Sequence, residues 1–558
     1  MFDQDVLVIG AGLAGMRAAL AAAGNGASVA VITKVYPVRS HSNAAQGGIN
    51  AALTDRGDKW EDHAYDTVKG SDYLGDQDAI EVMCREAGQE VINMEHMGTI
   101  FSRDDKGRLG VRAFGGQRQA RTFFVADFTG QALLHVLHEQ TLKHKVNVYE
   151  EWFVTSLLME DGECCGAVAM DMRTGQLHVF RAKAVILASG GLGRVFEPST
   201  NALICTGDGI GQAYRVGASL MDMEMVQYHP TTLKSNGALM SEAARGEGGY
   251  LLNSEGERFM KKYAPNMMEL ASRDVVSRAE QTEINEGRGV NGCVLLDCRH
   301  LGEKVIMERL LTIREAGIDF AGADMIKEPV PIRPGMHYIM GGIQTDVDGR
   351  TNVPGLYAAG ETACVSVHGG NRLGANSLLD TLVFGKRSGN HASDLAKKTS
   401  FKNISDAAAE KDRSRIQALL DRKAGGEMFG KIRLEMGQTM NKHLAVFRSQ
   451  QGMEEARDKI QELKGRYDKV VVQDKGKTFN TNLIFTLELG YMLECAEAIV
   501  ASALERKESR GAHTRTDMPK RDDANWLKHV VVTRSEEGPK ISYKPVVVTQ
   551  WQPQERKY

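Results

Sequence analysis

The stretch DVLVIGAGLAGMRAALAAAGNGASVAVIT, Asp5 to Thr33, decides the fold of this chain. The apolar run Asp5–Gly10 predicts a buried strand, the alanine-rich segment from Leu13 to about Gly24 predicts a helix, and Ser28–Thr33 predicts a second strand. Two strands joined by a helix are typical of a parallel sheet, so the sequence predicts an α/β fold.

A glycine-rich GxGxxG motif joins the first strand to the helix. It consists of Gly10, Ala11, Gly12, Leu13, Ala14 and Gly15. Its glycines permit a tight turn and the close approach of a pyrophosphate to the helix N-terminus, which indicates a Rossmann-like dinucleotide-binding domain. Thr33 and Lys34 replace the acidic residue that usually closes the second strand. The alternative is a tight turn in an α/β domain that binds no nucleotide.

Two later segments indicate that the nucleotide-binding domain is discontinuous. Ala184–Gly191 (AVILASGG) predicts a buried strand that runs into glycines. Thr351–Glu361 (TNVPGLYAAGE) predicts a turn, a short strand that returns to the first sheet, and an acidic residue. We therefore predict a Rossmann-like domain of residues 1–229 and 340–400, interrupted by an α+β capping domain of residues 230–339.

The rest of the chain changes character. Heptad-like apolar spacing among many charges predicts a helical bundle domain at 405–509. The last fifty or so residues lose this period and carry short valine-rich runs, which predict a small C-terminal domain at 510–558.

Composition excludes several classes of function. The formal net charge of −3 over 558 residues argues against a general nucleic-acid binder. No apolar run reaches the roughly 18 residues of a membrane span, and no basic segment of a signal peptide precedes the first strand. The eight cysteines form no CxxC pair, so we expect reduced cytosolic thiols and neither a disulfide scaffold nor a zinc or iron–sulfur site in this chain.

Longer motifs connect the chain to a known family. RSHSNAAQGGI, TGDGIGQA, QYHPTT, SEAARGEGGYLLNSEGERF, APNMMELASRDVV, MHYIMGGIQTD, HGGNRLGANSLLD and RGAHTRTDMPKRDDANWLKH follow one another along the sequence. In content and order they resemble the motifs of the flavoprotein subunit of succinate dehydrogenase and fumarate reductase. The resemblance covers nearly the whole chain.

The resemblance implies that FAD is bound covalently. His41 matches the histidine that holds the 8α-methyl group of the flavin, and an imidazole nitrogen can add to the quinone-methide form of that group. From the residues alone, His41 would bond a phosphate or cap the loop. The further FAD contacts implied are Thr33, Lys34, Ser40, Ser42, Gln46, Gly47, Gly48, Asp208, Glu361, Ser377 and Leu378, besides the GxGxxG motif.

The substrate implied is a four-carbon dicarboxylate. Its carboxylate ligands would be His229, Ser241, His337 and Arg372. Cationic and polar donors suit the two ends of such a molecule, and a planar guanidinium binds a carboxylate with two hydrogen bonds. Ser241 stands where many members have threonine, and Thr232 stands where glycine is frequent. Taken singly, each histidine would more often be a satisfied core or surface group than a ligand.

Three residues match the proton-transfer machinery of the family. Arg273 matches the residue that handles the substrate proton, and Glu242 and Arg245 match the relay behind it. Glu242 and Arg245 are three residues apart and would lie on one side of a helical turn. The alternative for Arg273 is a second carboxylate clamp, because arginine is a poor base with a reference pKa of about 12.5–13.8.

The resemblance therefore implies a succinate dehydrogenase that transfers a hydride to FAD and passes electrons to an iron–sulfur subunit. A membrane anchor subunit would connect that partner to quinone, with this chain peripheral on the cytoplasmic face of the membrane. The alternatives are a fumarate reductase, an L-aspartate oxidase-like flavoprotein, whose FAD is not covalent, and a non-catalytic flavoprotein. Gln46 favours succinate oxidation, because fumarate reductases often carry glutamate there.

Overall fold

The computed structural model describes residues 1–423 and 425–558. Its strands are β1 (Phe2–Ile9), β2 (Val29–Thr33), β3 (Ile49–Asn50), β4 (Val111–Arg112), β5 (Thr122–Phe123), β6 (Asn147–Glu150), β7 (Trp152–Glu160), β8 (Glu163–Asp171), β9 (Gln176–Leu187), β10 (Leu220–Met221), β11 (Val226–Thr232), β12 (Tyr250–Leu252), β13 (Val294–Asp297), β14 (Val330–Ile339), β15 (Gly342–Gln344), β16 (Leu356–Ala358), β17 (Ala363–Cys364), β18 (Lys528–Ser535) and β19 (Gly538–Pro545).

The α-helices are α1 (Leu13–Gly24), α2 (Trp60–Gly70), α3 (Gln77–Met97), α4 (Thr129–Lys143), α5 (Asp208–Arg215), α6 (Ala243–Gly246), α7 (Met260–Tyr263), α8 (Arg273–Asn285), α9 (Glu303–Arg309), α10 (Leu311–Ala321), α11 (Asn376–Ala396), α12 (Glu410–Leu420), α13 (Phe429–His443), α14 (Gln450–Tyr467), α15 (Thr481–Glu505) and α16 (Asp523–Trp526).

The largest sheet contains the predicted βαβ unit, which confirms the α/β fold. Its strand order is β6-β2-β1-β9-β8-β7, and β16 adds to it by pairing in parallel with β9. β1 pairs in parallel with β2 and β9. The predicted late strand is β16, and its pairing with β9 returns it to the first sheet. β2 begins at Val29 and not at the predicted Ser28, because the backbone N–H and hydroxyl of Ser28 donate to the carboxylate of Asp5.

Both faces of this sheet are covered by apolar layers. Val6 and Val8 pack in one cluster with α1, α4 and α11, whereas Leu7 and Ile9 pack in another with α13, α14 and α15. This arrangement follows from the alternation of side chains along a strand. It explains why β1 is apolar at every position from Val6 onward, as expected of a parallel strand buried on both faces.

The remaining strands form smaller sheets. The order β11-β14-β13-β12 lies within residues 226–339, and we call residues 230–339 the capping segment. Strands β18 and β19 extend a sheet of order β17-β15-β10-β18-β19, so the C-terminal residues pair with earlier parts of the chain. The domain limits drawn from the sequence stay predictions. None of the helices in the described residues combines the length and apolar character needed to cross a bilayer.

Candidate active site

A cavity of about 540 Å³ opens where β1 and β2 end. Ligands bind at this edge of parallel sheets, and the volume is typical of a small-molecule site. The cavity brings together most of the residues predicted from the sequence: Gly10, Ala11, Gly12, Leu13, Ala14, Thr33, Lys34, Ser40, His41, Ser42, Gln46, Gly47, Gly48, Asp208, His229, Ser241, Glu242, Arg273, His337, Glu361, Arg372, Ser377 and Leu378. Gly15 and Arg245 do not line it.

The glycine motif forms one end of the cavity. Gly10 has φ of +111°, and a Cβ there would lie 2.2 Å from the carbonyl oxygen of Ala188. A Cβ on Gly15 would lie 1.9 Å from the carbonyl oxygen of Gly10. The turn therefore requires glycine at both positions, and Gly15 serves the packing of helix on strand. The first residues of α1 are left facing the cavity, where helical N–H groups attract a phosphate.

The loop with His41 closes one side of the cavity. Residues His41–Ala44 form a 3-10 turn, which α4 supports by a hydrogen bond of 2.7 Å from the backbone N–H of Gly130 to the carbonyl oxygen of Ala45. The backbone N–H of Ala202 donates to Nδ1 of His41 at 3.3 Å. Burial lowers the pKa of His41 to about 4, so the imidazole is neutral at physiological pH.

Lys34 connects the cavity to the helical bundle. Its Nζ donates to Glu488 of α15 at 2.6 Å, to Thr206 at 2.9 Å and to Asp208 at 3.4 Å. Burial alone would lower the pKa of Lys34, but Asp208 and Glu488 raise it above its usual value. Lys34, which replaces the usual acidic residue, is thus a fixed cation beside the predicted nucleotide site.

The opposite wall carries an acid and a helix terminus. Glu361 follows β16 and accepts a hydrogen bond of 3.1 Å from the backbone N–H of Ile339. Burial raises the pKa of Glu361 to about 7. Helix α11 begins at Asn376, directly after Ala375 with φ of +65°, so Ser377 and Leu378 lie in its first turn, as predicted. The N-terminus of α11 favours negative charge in the cavity.

These residues fit FAD. The Oγ of Ser40 and the Oε1 of Gln46 are buried, and neither has a hydrogen-bond partner within residues 1–423 and 425–558. Unpaired buried polar atoms are rare in folded proteins unless a ligand or water completes them. Together with the glycine turn and the terminus of α11, they provide contacts for both halves of a dinucleotide.

Two arginines mark the other end of the cavity. Nη1 of Arg273 and Nη2 of Arg372 donate to the same oxygen, Oε1 of Gln227, at 3.0 and 3.1 Å. Both guanidinium groups are buried. Burial and the neighbouring Arg273 lower the pKa of Arg372 to about 9, and its Nε has no partner among the described residues. An anion in this place would relieve the repulsion between the two cations.

Two histidines lie beside these cations. His229 of β11 and His337 of β14 have ring centroids 4.9 Å apart. Burial, reinforced by Arg273, holds the pKa of each imidazole well below its usual value, so both are neutral. The hydroxyl of Thr200 contacts Nδ1 of His337 at 2.9 Å. Neutral imidazoles and fixed guanidinium groups suit a small dicarboxylate.

Glu242 lies directly behind Arg273. Nε of Arg273 donates to its Oε2 at 2.6 Å, and the backbone N–H of Gly115 donates to its Oε1 at 2.7 Å. Arg245 lies 3.7 Å from the same carboxylate, on the turn of α6. Although burial disfavours the charge, Arg273 and Arg245 lower the pKa of Glu242. The three predicted residues therefore form a continuous buried chain of charges.

Ser241 and Thr232, which depart from the motifs of the resembling family, both make defined contacts. Ser241 lies in the cavity wall, where its Oγ accepts from the backbone N–H of Ala243. Thr232 lies at an irregularity in the pairing of β11 with β14, and its hydroxyl donates to the carbonyl oxygen of Arg333 at 2.7 Å. Its side chain also fills the space beside Gly335.

Gln227, which joins the two arginines, is not among the predicted site residues. Gln227 and His229 are two residues apart on β11, so their side chains lie on the same face of the strand. That spacing and the place of Gln227 in the motif QYHPTT were the available signals. Thr200, which contacts His337, and Asp127 and Thr312, which contact each other in the cavity wall, were missed because their partners are distant in sequence.

Comparisons with known proteins agree with this geometry. A sequence profile described as FAD binding domain matches residues 5–378, and one described as fumarate reductase flavoprotein C-term matches residues 433–558. The succinate dehydrogenase flavoprotein subunit of Rickettsia conorii is 48% identical over 98% of this chain and 95% of its own. The fumarate reductase flavoprotein subunit of Mycobacterium tuberculosis is 46% identical over 100% and 99%. A quinol fumarate reductase chain from E. coli superposes with a TM-score of 0.95 at 42% identity, covering 99% and 98%.

Proposed function

Because the chain belongs to the succinate dehydrogenase and fumarate reductase flavoprotein family, we propose that it is the flavoprotein subunit of a succinate dehydrogenase. It would oxidise succinate to fumarate. The observation that carries this proposal is the pair Arg273 and Arg372, held on one oxygen of Gln227. The pair lies in the same cavity as the loop of residues 39–49, which contains His41 and which we call the flavin loop. The four-carbon substrate would place one carboxylate by Arg372 and the histidines.

The chain's own residues bind the substrate and move its proton. Oxidation removes a hydride and a proton from adjacent carbons, and FAD supplies the acceptor for the electron pair. His229, Ser241, His337 and Arg372 would hold the carboxylates. The cationic Arg273 would first release a proton toward Glu242, and its neutral form would then accept the proton from the substrate carbon. The 2.6 Å hydrogen bond to Glu242 stabilises the cationic form of Arg273 once it is protonated, and Arg245 continues the path beyond Glu242.

We further propose that FAD is attached to His41. The neutral imidazole and the acceptor role of Nδ1 leave Nε2 as the nitrogen that can form the bond. The bond would replace the N–H of the imidazole and one C–H of the 8α-methyl group, and the two electrons released would reduce the flavin itself. A family member that binds FAD without this bond, such as L-aspartate oxidase, would not need a histidine here. A non-catalytic flavoprotein would not need the buried cations Arg273 and Arg372 at the other end of the cavity.

Electrons would leave through an iron–sulfur subunit, with a membrane anchor subunit and quinone beyond it. Within the described residues, no group of three or more His, Cys, Asp or Glu side chains is arranged to hold a metal ion. We propose that these partner subunits hold the chain as a peripheral subunit on the cytoplasmic face of the membrane. Purification from native membranes should bring an iron-containing subunit along; full quinone reduction by the chain alone would contradict this partner.

The direction of the reaction is tested on the purified native complex. Succinate oxidation and fumarate reduction are measured side by side with matched quinone and quinol, and we expect oxidation to be faster. A complex that reduces fumarate several times faster than it oxidises succinate would favour the second candidate function, that of a fumarate reductase. Some of the similar proteins carry that name. Failure of both reactions in flavin-loaded protein would remove the proposal.

Gln46 supplies a prediction about direction. Its amide lies in the flavin loop and carries no charge. A carboxylate in its place would repel the negative charge that reduction brings into the cavity, so Gln46→Glu should lower the flavin midpoint potential. A spectroscopic redox titration measures this. An unchanged or raised potential would remove the argument that Gln46 favours succinate oxidation.

A further inference from the structure

Gln46 is linked to the capping segment by a short chain of hydrogen bonds. The backbone N–H and the hydroxyl of Thr312 donate to Oδ2 of Asp127 at 2.8 and 2.6 Å. Nε2 of Gln46 donates to the hydroxyl oxygen of Thr312 at 3.3 Å. All three residues line the cavity, and only 3% of Asp127 is exposed.

The donors and acceptors of Gln46, Thr312 and Asp127 have only one consistent arrangement. A carboxylate accepts hydrogen bonds and donates none, so the proton of the Thr312 hydroxyl must point at Asp127. The hydroxyl oxygen is then free to accept, and an amide can offer it only its NH₂ group. The oxygen of Gln46 is therefore the atom left over, and Oε1 is indeed buried without a partner in the described part of the chain.

Charged groups from two parts of the fold lie around Asp127. Arg112 lies close by, and although burial lowers its pKa to about 10, Glu247 and Asp127 act in the opposite direction. Glu247 in turn pairs with Arg309 at 2.9 Å. The capping segment thus lies close to Arg112 and Asp127 through a cluster of charged and polar groups. Thr312 is the member of this cluster that lines the cavity.

The three residues that these hydrogen bonds connect come from different parts of the fold. Gln46 lies in the flavin loop and Asp127 directly precedes α4, whereas Thr312 lies in the first turn of α10 in the capping segment. The hydrogen bonds can form only when the capping segment lies against the flavin loop. Displacement of α10 would release the amide of Gln46.

We propose that Thr312 and Asp127 are positioning residues that hold the amide of Gln46 with its oxygen toward the FAD cavity, and that they do so only in the closed arrangement. This rests on the proposed function insofar as that function assigns the cavity to FAD. The amide is a dipole with its negative end on oxygen. Turned toward the cavity, that end disfavours the negative charge that reduction brings, so closure lowers the flavin potential.

The test is the flavin midpoint potential of the full-length, FAD-loaded chain. Thr312→Val keeps the shape of the side chain and removes the hydroxyl, so the amide can turn and the potential should rise. A tenfold change in the two-electron reduction equilibrium corresponds to about 30 mV, which a dye-coupled titration resolves. Thr312→Ser should restore the original potential. Thr282→Val is the matched control, because its hydroxyl donates to the carbonyl oxygen of Arg278 within its own helix.

A double-mutant cycle decides whether Thr312 acts through Gln46. In a Gln46→Met background, Thr312→Val should no longer shift the potential, because there is no amide left to turn. An equal shift in both backgrounds, or no shift in either, overturns the proposal. The potentials are measured without succinate, so their outcome does not depend on whether the protein oxidises succinate. The proposed reaction is tested only by the direct assay of succinate oxidation.

Discussion

At the scale of single residues, Arg273 has partners for two different tasks. Its Nε is engaged by Glu242, whereas its Nη1 reaches Gln227 and so the substrate end of the cavity. Among the residues that the structure describes, Arg372 has no carboxylate partner, and it donates to Gln227 and to the carbonyl oxygen of Leu373. This difference supports the division of roles in which Arg372 binds and Arg273 transfers the proton.

Arg273→Gln should therefore abolish turnover without abolishing binding. The amide can still donate to Glu242 or Gln227, and Arg372 with the two histidines remains to hold a dicarboxylate. We expect turnover to fall by about 10²–10⁴-fold, the usual effect of losing a general acid–base group. The measurement is succinate turnover beside malonate binding, followed in the flavin spectrum. Normal turnover at saturating succinate with lost malonate binding would make Arg273 a clamp.

His41 leads to a prediction about chemistry rather than rate. The acid-denatured chain should retain flavin fluorescence, and one tryptic peptide containing His41 should carry the mass of the flavin. His41→Ala keeps the remaining cavity wall, so it should bind FAD that is released on denaturation. Flavin found wholly in the supernatant of the mature unmodified protein would refute attachment at His41.

Single residues also show what a sequence can reveal about a site. The cavity contains His229, Arg273 and Arg372, as predicted. These residues could be predicted because each lies in a sequence motif that matches a motif of the family. Thr312 stands in no such motif. Its importance arises from Asp127 and Gln46, which are 185 and 266 positions away in the chain. Contacts of this kind follow from the packing of elements and leave no local pattern.

At the scale of elements, α4 supports the flavin loop through a glycine. A Cβ on Gly130 would lie 2.1 Å from the carbonyl oxygen of Ser42 and 2.7 Å from the Cβ of Ala45. The helix therefore approaches the 3-10 turn with His41 as closely as two backbones can. This contact fixes the loop that forms one wall of the cavity.

Gly130→Ala should displace the loop and reduce the FAD content of the purified protein. In a helix interior the change from glycine to alanine ordinarily stabilises by up to about 1 kcal/mol, so a loss here would identify the clash as its cause. Gly430→Ala in α13 is the control, since a Cβ there meets nothing within 4 Å. Flavin absorbance per chain is the measurement. Equal FAD content in both variants would contradict the supporting role of α4.

Elements differ in how far the sequence predicts them. α1 has the predicted limits because the glycine turn precedes it and Asn25 and Gly26 end it. β9 is longer than the predicted Ala184–Gly191 at its start, since it pairs with β8 from Gln176 onward. It ends at Leu187 because the following glycines leave the sheet for the cavity wall. Strand pairing between distant segments is what the local pattern lacks.

At the scale of the whole molecule, a buried histidine joins three distant segments. His529 of β18 contacts Asp222 through Nδ1 at 2.7 Å and Asp76 through Nε2 at 3.1 Å. Asp222 follows β10, and Asp76 precedes α3. Burial alone would lower the pKa of His529, but the two carboxylates outweigh it and raise the pKa to about 9. The C-terminal strands are thus held to the flavin-binding part by a buried imidazolium.

This ion cluster predicts how stability depends on pH. The pKa of His529 is about 9 in the folded chain, against the ordinary value of 6.5 when unfolded. The folded state therefore binds the proton more tightly. Its stabilising effect is complete below pH 6.5 and is lost as the pH rises through 9, and it amounts to at most about 3 kcal/mol.

Urea unfolding between pH 6 and 9.5 measures this effect. His529→Gln should be less stable than the unmodified chain at pH 6, and the two stability curves should converge as the pH approaches 9.5. His178→Gln is the control, because burial lowers the pKa of His178 and so moves its titration away from the range in which His529 loses its proton. Curves for the unmodified chain and His529→Gln that stay parallel across the range would show that His529 is neutral in the folded protein. The C-terminal strands would then be held to the rest of the molecule by strand pairing and apolar packing, with no contribution from a charged His529.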